Sequence, residues 1–398
     1  MTTLGLAWTY LAARPLLTAL HVLLLALGVA TIVLLILFTG QTEERLERDA
    51  KAVDLVVGAK GSPLQLILSS VLHADVPTGN IPFTAARTLA ADPMVLSATP
   101  VSLGDSYRGF RIVGTDASFL DLYSARIAKG LPFKGEMEAV LGARVARQSG
   151  LAPGATFAGS HGLAAAGGAA HAEHPYRVVG ILEPTGSVID RLVLTPLESV
   201  WEVHEGHSPG RAHPTQESRE ITALLVRYRT PIAAAQLPRR INGTTSLQAA
   251  SPAYEGARLM KLIGVGVDAL RAFALVLMAS AALSVFIALI SALQERRYDL
   301  GLLRLMGARP SRLLALIAAE GMTLVVGGVI LGLALGHFAA EGLGRWLVES
   351  QAWSVTGLAW DPAELWLCLL VIAFGAATCA IPAILAYRRD PATILLER

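Results

Sequence analysis

Cysteine is almost absent from this chain, which has only Cys368 and Cys379. They stand eleven residues apart in one apolar run, about three helical turns, so they share a face and cannot bridge each other. No disulfide framework and no cysteine metal site is available. Charge is scarce too. Asp, Glu, Lys and Arg make up 16% of the 398 residues, against roughly 25% in soluble proteins. The formal net charge of +2 gives no ground for a nucleic-acid partner. Recognisable catalytic motifs are missing as well. VDLVVGAKGSP (53–63) superficially resembles a phosphate loop, but Lys60 precedes Gly61, so the spacing that wraps a phosphate in amides fails. No Gly-x-Ser-x-Gly elbow and no His-Glu-x-x-His helix occurs.

What the chain does have is hydrophobic length. Hydrophobic residues make up 53% and the mean hydropathy is +0.53. A helix needs roughly 20 apolar residues to cross the hydrocarbon, and four segments qualify: 15–40, 272–293, 313–338 and 365–387. The first is too long for the core of a signal peptide and no small-x-small cleavage site follows it, so it is read as an uncleaved anchor. Orientation follows the arginines. Arg296, Arg297, Arg304, Arg309 and Arg312 crowd the loop 294–312, and Arg388, Arg389 and Arg398 the tail 388–398. The loop 339–364 has Arg345 against Glu341, Glu349, Asp361 and Glu364. The N-terminal segment 1–14, the basic loop and the tail are therefore cytoplasmic, and 41–271 lies outside. Arg45, Arg48 and Lys51, just after the first span, argue weakly the other way.

The expected fold is an α-helical membrane protein with four transmembrane helices and a large extracytoplasmic mixed α/β domain inserted between helices 1 and 2. QTEERLERDAKA (41–52) and YEGARLMKLIGVGVDALR (254–271) read as helical extensions of the flanking spans, a stalk. YRGFRIVGT (107–115), YRVVGIL (176–182), RLVLTPL (191–197) and ITALLVRYR (221–229) read as strands. FTAARTLAA (83–91) and MEAVLGARVARQSG (137–150) read as helices, the second ending at Gly150. The Gly/Ala-rich stretch 158–175 reads as a loop.

Four features stand out as candidate sites. In ERRYDLGLLRLMGARPSRLLAL (295–316), charge alternates with Leu300, Leu302, Leu303, Leu305 and Met306, then breaks at Gly307 and Pro310. This is a short amphipathic helix, suited to anionic lipid or to a protein groove. Glu320 lies about 12 Å into the third span, by helical rise. A carboxylate at bilayer centre costs on the order of 2.5–3.5 kcal/mol and less near the edge. It is expected to face protein or the interface, with an arginine of the loop as a candidate partner. No second intramembrane acid suggests a proton relay. Gly328, Gly332 and Gly336 repeat every four residues, a bare ridge for another helix of the same chain or of a second copy. Six of the nine histidines fall between 161 and 213. HAEH and HEGH set His171 with His174 and His204 with His207, spacings that could hold a metal if local structure cooperates. Solvated loop histidines are the simpler reading.

ERRYDLGLLRLMGARPSRLLALIAAEG resembles the signature of FtsX-like (MacB-type) ABC transporter permeases: an arginine pair, an acidic residue, Gly-x-Leu-Arg, a small-residue break and a glutamate in the next helix. Arg296, Arg297, Gly301, Leu303, Arg304, Gly307, Glu320 and Gly321 match it, and Asp299 stands where glutamate is usual. YRRDPATILLER resembles the family's C-terminal tail, and LPF…AVLGARVARQSGLAPGATF…YRVVGIL its extracytoplasmic core domain. The resemblance implies a permease subunit in a bacterial inner membrane, without an ATP site of its own. A separate cytoplasmic ATPase, carrying ATP and Mg, would dock on Glu295, Arg296, Arg297, Asp299, Leu300, Leu303, Arg304, Met306 and Gly307. A second permease copy, membrane lipid and a periplasmic partner or cargo complete the implied set. Mechanotransmission would export or extract an amphipathic substrate, peptide or lipoprotein. The alternative is a non-transporting regulator that switches a periplasmic enzyme, and a third reading is a metal sensor built on the histidines.

Overall fold

The computed structural model describes residues 3–161, 173–205, 219–295, 309–349 and 355–388. The chain divides into two compact units, residues 1–42 with 263–398, and residues 43–262. The helices are α1 (Thr3–Ala12), α2 (Pro15–Ala50), α3 (Pro63–Ser70), α4 (Phe83–Ala90), α5 (Ser118–Leu122), α6 (Ala143–Ser149), α7 (Leu197–Glu205), α8 (Pro231–Thr244), α9 (Pro252–Glu295), α10 (Pro310–Glu349) and α11 (Pro362–Arg388). Helices α2, α3, α8, α9, α10 and α11 begin on proline, whose missing N–H costs nothing at the first helical position. At α11 the start is reinforced by a capping box. Asp361 Oδ1 accepts from the Ala363 amide at 2.8 Å, and Glu364 Oε1 accepts from the Asp361 amide at 3.0 Å.

In the first unit, α2, α9, α10 and α11 are long and apolar enough to cross a membrane. Small residues let them approach closely. A Cβ on Gly332 would lie 2.6 Å from Val29 Cβ and 2.8 Å from the Ala26 carbonyl. On Gly328 it would meet Leu25, and on Gly336 Val33. The glycine ridge thus faces α2 of the same chain. Gly375 receives Val325, and Gly321 receives the Cys379 sulfur. Both cysteines are free thiols. Helix α1 was not expected in the N-terminal segment. Its Leu11 is buried in a cluster with Val285, Leu289, Ile317 and Leu324.

The second unit is built on a mixed sheet. Its strands are β1 (Leu55–Ala59), β2 (Ile81–Pro82), β3 (Val95–Tyr107), β4 (Phe110–Thr115), β5 (Ile127–Gly130), β6 (Glu138–Leu141), β7 (Thr156–Phe157), β8 (Ser160–His161), β9 (Tyr176–Leu182), β10 (Val193–Pro196), β11 (Glu220–Ile221), β12 (Ala223–Tyr228) and β13 (Leu247–Ala250). The main order is β13-β1-β12-β3-β4-β10-β6-β9-β5, with β4–β10 and β6–β9 parallel and the other pairs antiparallel. One core packs Leu55, Val57, Leu224 and Val226 against Trp201, Leu237 and Ile241. Another packs Ile112, Leu141, Tyr176, Val178 and Val193.

Two expectations are corrected here. The stretch 107–115 is not one strand. Arg108 and Gly109 take φ of 48° and 81°, the two-residue turn that returns β3 into β4. The stretch 137–150 is not one helix. Glu-Ala-Val-Leu forms β6 between β10 and β9, and α6 starts only after Gly142. A Cβ on Gly142 would sit 2.3 Å from the Ile189 carbonyl oxygen, so the missing side chain is what lets the backbone of 189–190 come this close. Gly150, at φ 72°, ends the helix.

Buried His73 follows α3 with a left-handed φ of 51°, and neither ring nitrogen has a hydrogen-bond partner. Burial pushes the imidazole well below 6.5, and the Arg111 and Arg191 guanidiniums push it the same way. The folded chain therefore holds His73 neutral, while the unfolded chain takes up a proton below about 6.5. Stability is full above that pH and falls below it, by up to about 1.4 kcal/mol per pH unit. Glu138, held below its ordinary range by the Lys134 and Gly135 amides, adds its own loss only at lower pH. Thermal unfolding of the detergent-solubilised chain between pH 7 and 5 is expected to drop in midpoint, and His73→Leu to flatten the slope. An equally steep slope in the variant would assign the effect elsewhere.

Candidate functional site

Two polar clusters interrupt the apolar helix bundle of the first unit, one at each end of its spans. The first surrounds Glu320 on α10. Its carboxylate is buried, 7% exposed. It lines a cavity of about 30 Å³ with Tyr10, Arg14, Thr18 and His21, large enough for a water molecule. The structure brings Arg14, from the elbow between α1 and α2, within electrostatic reach of Glu320. The anticipated arginine of the basic loop lies outside the described residues. Arg14 also pairs with Glu295, the last residue of α9. This ion pair is half-exposed and adds little stability by itself. Its consequence is positional, because it fixes the residue from which the basic segment departs.

Arg296, Arg297, Asp299, Leu300, Leu303, Arg304, Met306 and Gly307 all lie outside the described residues, as do His171 and His207. His174 is described, and His204 falls on α7. Among the described residues, no group of three or more His, Cys, Asp or Glu could hold a metal ion.

The second cluster was not anticipated. Gln41 on α2 and Thr356 exchange two hydrogen bonds, from Gln41 Nε2 to the Thr356 carbonyl at 2.8 Å and from the Thr356 amide to Gln41 Oε1 at 2.9 Å. Glu341 Oε2 accepts from Thr356 Oγ1 and from the Gly357 amide, each at 3.2 Å. His337 Nδ1 lies 2.7 Å from the Gly357 carbonyl, and Nε2 lies 2.8 Å from Glu364 Oε2. Nδ1 therefore donates, and one proton is held between Nε2 and the fully buried carboxyl. Trp360 stacks on the imidazole at 5.4 Å. These contacts clasp residues 355–361 to α2, α10 and α11. The sequence signals for both clusters were faint: single histidines inside apolar helices (His21, His337), and Asp361 three residues before Glu364.

The MacB-like periplasmic core domain matches residues 18–244, and the FtsX-like permease C-terminal domain matches residues 271–391. No curated protein matches the chain. Among solved structures, the chain is similar to the periplasmic region of MacB from Actinobacillus actinomycetemcomitans, with 12% identity, a TM-score of 0.33, and coverage of 52% of this chain and 94% of that one. It is also similar to the extracellular domain of the ABC-type transporter YknZ from Gram-positive bacteria, with 13% identity, a TM-score of 0.31, and coverage of 50% and 99%. The core-domain match alone spans more than half the chain, and the permease match covers the remaining spans. The chain is a membrane protein with an extracytoplasmic domain, and it belongs to the FtsX-like, MacB-type family of ABC transporter permeases.

Proposed function

We propose that this permease passes the work of a separate cytoplasmic ATPase to its extracytoplasmic domain, by mechanotransmission along its own helices. The observation that carries the reading is the continuity of α2 and α9. They have 36 and 44 residues, about 54 and 66 Å of unbroken helix, against about 30 Å of hydrocarbon. Each leaves an apolar span and continues into the domain that bears the strands. Helices of that length are stiff rods, able to carry a push from one side of a bilayer to the other.

The push would enter through residues 295–307. Arg14 anchors Glu295 at the start of this segment, and α10 leaves its other end on Pro310. The ATPase would bind ATP and Mg, and this chain none. Two permease copies would work with two ATPases in a bacterial cytoplasmic membrane. The work would fall on an amphipathic molecule, peptide or lipoprotein outside.

The test is gentle extraction from native membranes, followed by mass spectrometry of what co-purifies, for wild type and Leu303→Asp. A carboxylate buried without a partner in a docking groove costs several kcal/mol, so ATPase recovery with the variant is expected to fall at least about tenfold. Equal recovery with both chains, or an ATPase with neither, would overturn the reading.

A further inference from the structure

His21 puts a hydrogen-bonding ring inside the membrane-spanning unit. It lies on α2, six residues past Pro15, about 9 Å along the helix. Its side chain is buried, 4% exposed. Nδ1 stands 2.6 Å from the Leu17 carbonyl oxygen of the same helix, and Nε2 stands 3.2 Å from the Ser284 carbonyl oxygen of α9. A carbonyl oxygen only accepts. A neutral imidazole has one N–H and one lone pair, so it could donate to one carbonyl and would turn its lone pair on the other. The imidazolium has an N–H on each nitrogen and donates to both.

His337 differs, because its Nε2 faces a carboxyl group that can hold the shared proton itself. His21 stands between two carbonyls, so its second proton rests on the ring. A cation inside an apolar bundle is stable only beside opposite charge or water. His21 lines the cavity of about 30 Å³ that Glu320 also lines, and a water molecule fits there. Among the described residues, Arg14 and Tyr10 are the other ionisable groups lining it, and α9 lines it with Ala288, Leu289 and Ala292. Glu295, at the end of α9, pairs with Arg14. From α11, buried Cys379 packs in the same cluster as Leu289.

The contact belongs to a packed seam. Seven residues further along α2, a Cβ on Gly28 would stand 2.6 Å from Met278 Cγ and 3.4 Å from the Ala274 carbonyl oxygen. Partners on α9 thus fall from 284 to 278 and 274 as α2 rises from 21 to 28, the run of two antiparallel helices. A small residue lets two helices approach closely, so helix packing brings Ser284 to the ring.

We propose that His21 is a proton-binding site and that the bound proton ties α2 to α9. With the proton in place, Nε2–H donates to the Ser284 carbonyl in a charge-assisted hydrogen bond between the two helices. When the proton passes to water at the cavity, the Nε2 lone pair faces the Ser284 oxygen and the two repel. The Nδ1 bond to Leu17 lies within α2 and survives. Only the cross-helix half of the arrangement depends on the proton. The tie lies wholly within the membrane-spanning unit, and the inference does not rest on any motor.

The test is solid-state NMR of the full chain in phosphatidylcholine liposomes, with the histidine rings labelled with nitrogen-15 and carbon-13 and the serine carbonyls with carbon-13. A serine carbonyl is expected to transfer magnetisation to a histidine ring nitrogen. Ser284→Ala keeps the backbone oxygen and removes the label, so the transfer lost in that variant belongs to His21, whose own side chain is left unaltered. At pH 7 that nitrogen and the other nitrogen of the same ring are both expected to carry hydrogen. Raising the pH until the first becomes bare is expected to abolish the transfer. A bare nitrogen in the assigned ring at pH 7, with the transfer intact, would overturn the proton site. Transfer that persists after the proton has gone would overturn the tie. No transfer in the wild-type chain at any pH would overturn both, because α2 and α9 would then not meet at this contact.

Discussion

Gly332→Leu is expected to lower the stability of the helix bundle by about 3 kcal/mol, at the upper end for an overpacked core. A Cβ at this position would already stand 2.8 Å from the Ala26 carbonyl and 2.6 Å from Val29 Cβ, so a longer side chain has nowhere to turn. The backbone of α2 must retreat along the whole ridge, because Gly328 and Gly336 seat Leu25 and Val33 on the same face. Gly327→Ala is the matched control. Its new methyl meets only Val22, at 3.8 Å, and the better helix propensity of alanine should leave it neutral or slightly stabilised. Thermal unfolding in detergent separates the two. If Gly332→Leu melts with wild type, α2 does not pack on α10 in the membrane, and the ridge is free for a second copy instead.

That ridge was visible in the sequence as a four-residue repeat, while its occupant was not. Repeats report that something comes close; only the fold identifies Leu25, Val29 and Val33. The four spans were legible because unbroken apolar length has few other uses, and strand 176–182 because it is rich in β-branched residues. The stretch 137–150 misled, since Glu-Ala-Val-Leu suits either a helix or a buried strand and its neighbours β9 and β10 come later in the chain. Helix α1 escaped because ten residues without charge patterning look like a tail.

The same division applies to the coupling path. Residues 295–307 read as an amphipathic segment in the sequence, the resemblance implied a role for them, and all but Glu295 lie outside the described residues. The elbow pairing Arg14 with Glu295, and the cavity joining Arg14, His21 and Glu320, depend on α1 and α2 lying beside α9 and α10. A motor pushing on 295–307 would therefore act on three helices together: α9 directly, α10 through Pro310, and α2 through Arg14. At the other end of the spans, α2 meets the clasp at Gln41.

Gly344→Ala is expected to open that clasp. The added methyl would stand 1.7 Å from the Val355 carbonyl oxygen and 2.8 Å from its carbon, a backbone collision that no rotamer relieves. Residues 355–361 must shift away from α10. The paired bonds of Gln41 with Thr356 and the Glu341 and His337 contacts to Gly357 would then lengthen together. The cost is about 3 kcal/mol by the same reasoning, concentrated in one loop. Hydrogen exchange gives the most direct readout, since the Thr356 and Gly357 amides are bonded to Gln41 and Glu341 and should lose protection by about 100-fold. Gly342→Ala, two residues away with nothing within 4 Å of its new methyl, should leave both amides protected. If the clasp carries motion to α2, Gly344→Ala will also leave ATP hydrolysis by the bound motor running while the work done outside falls. If the amides are lost and the outside work persists, the clasp is only a staple, and α9 alone carries the stroke.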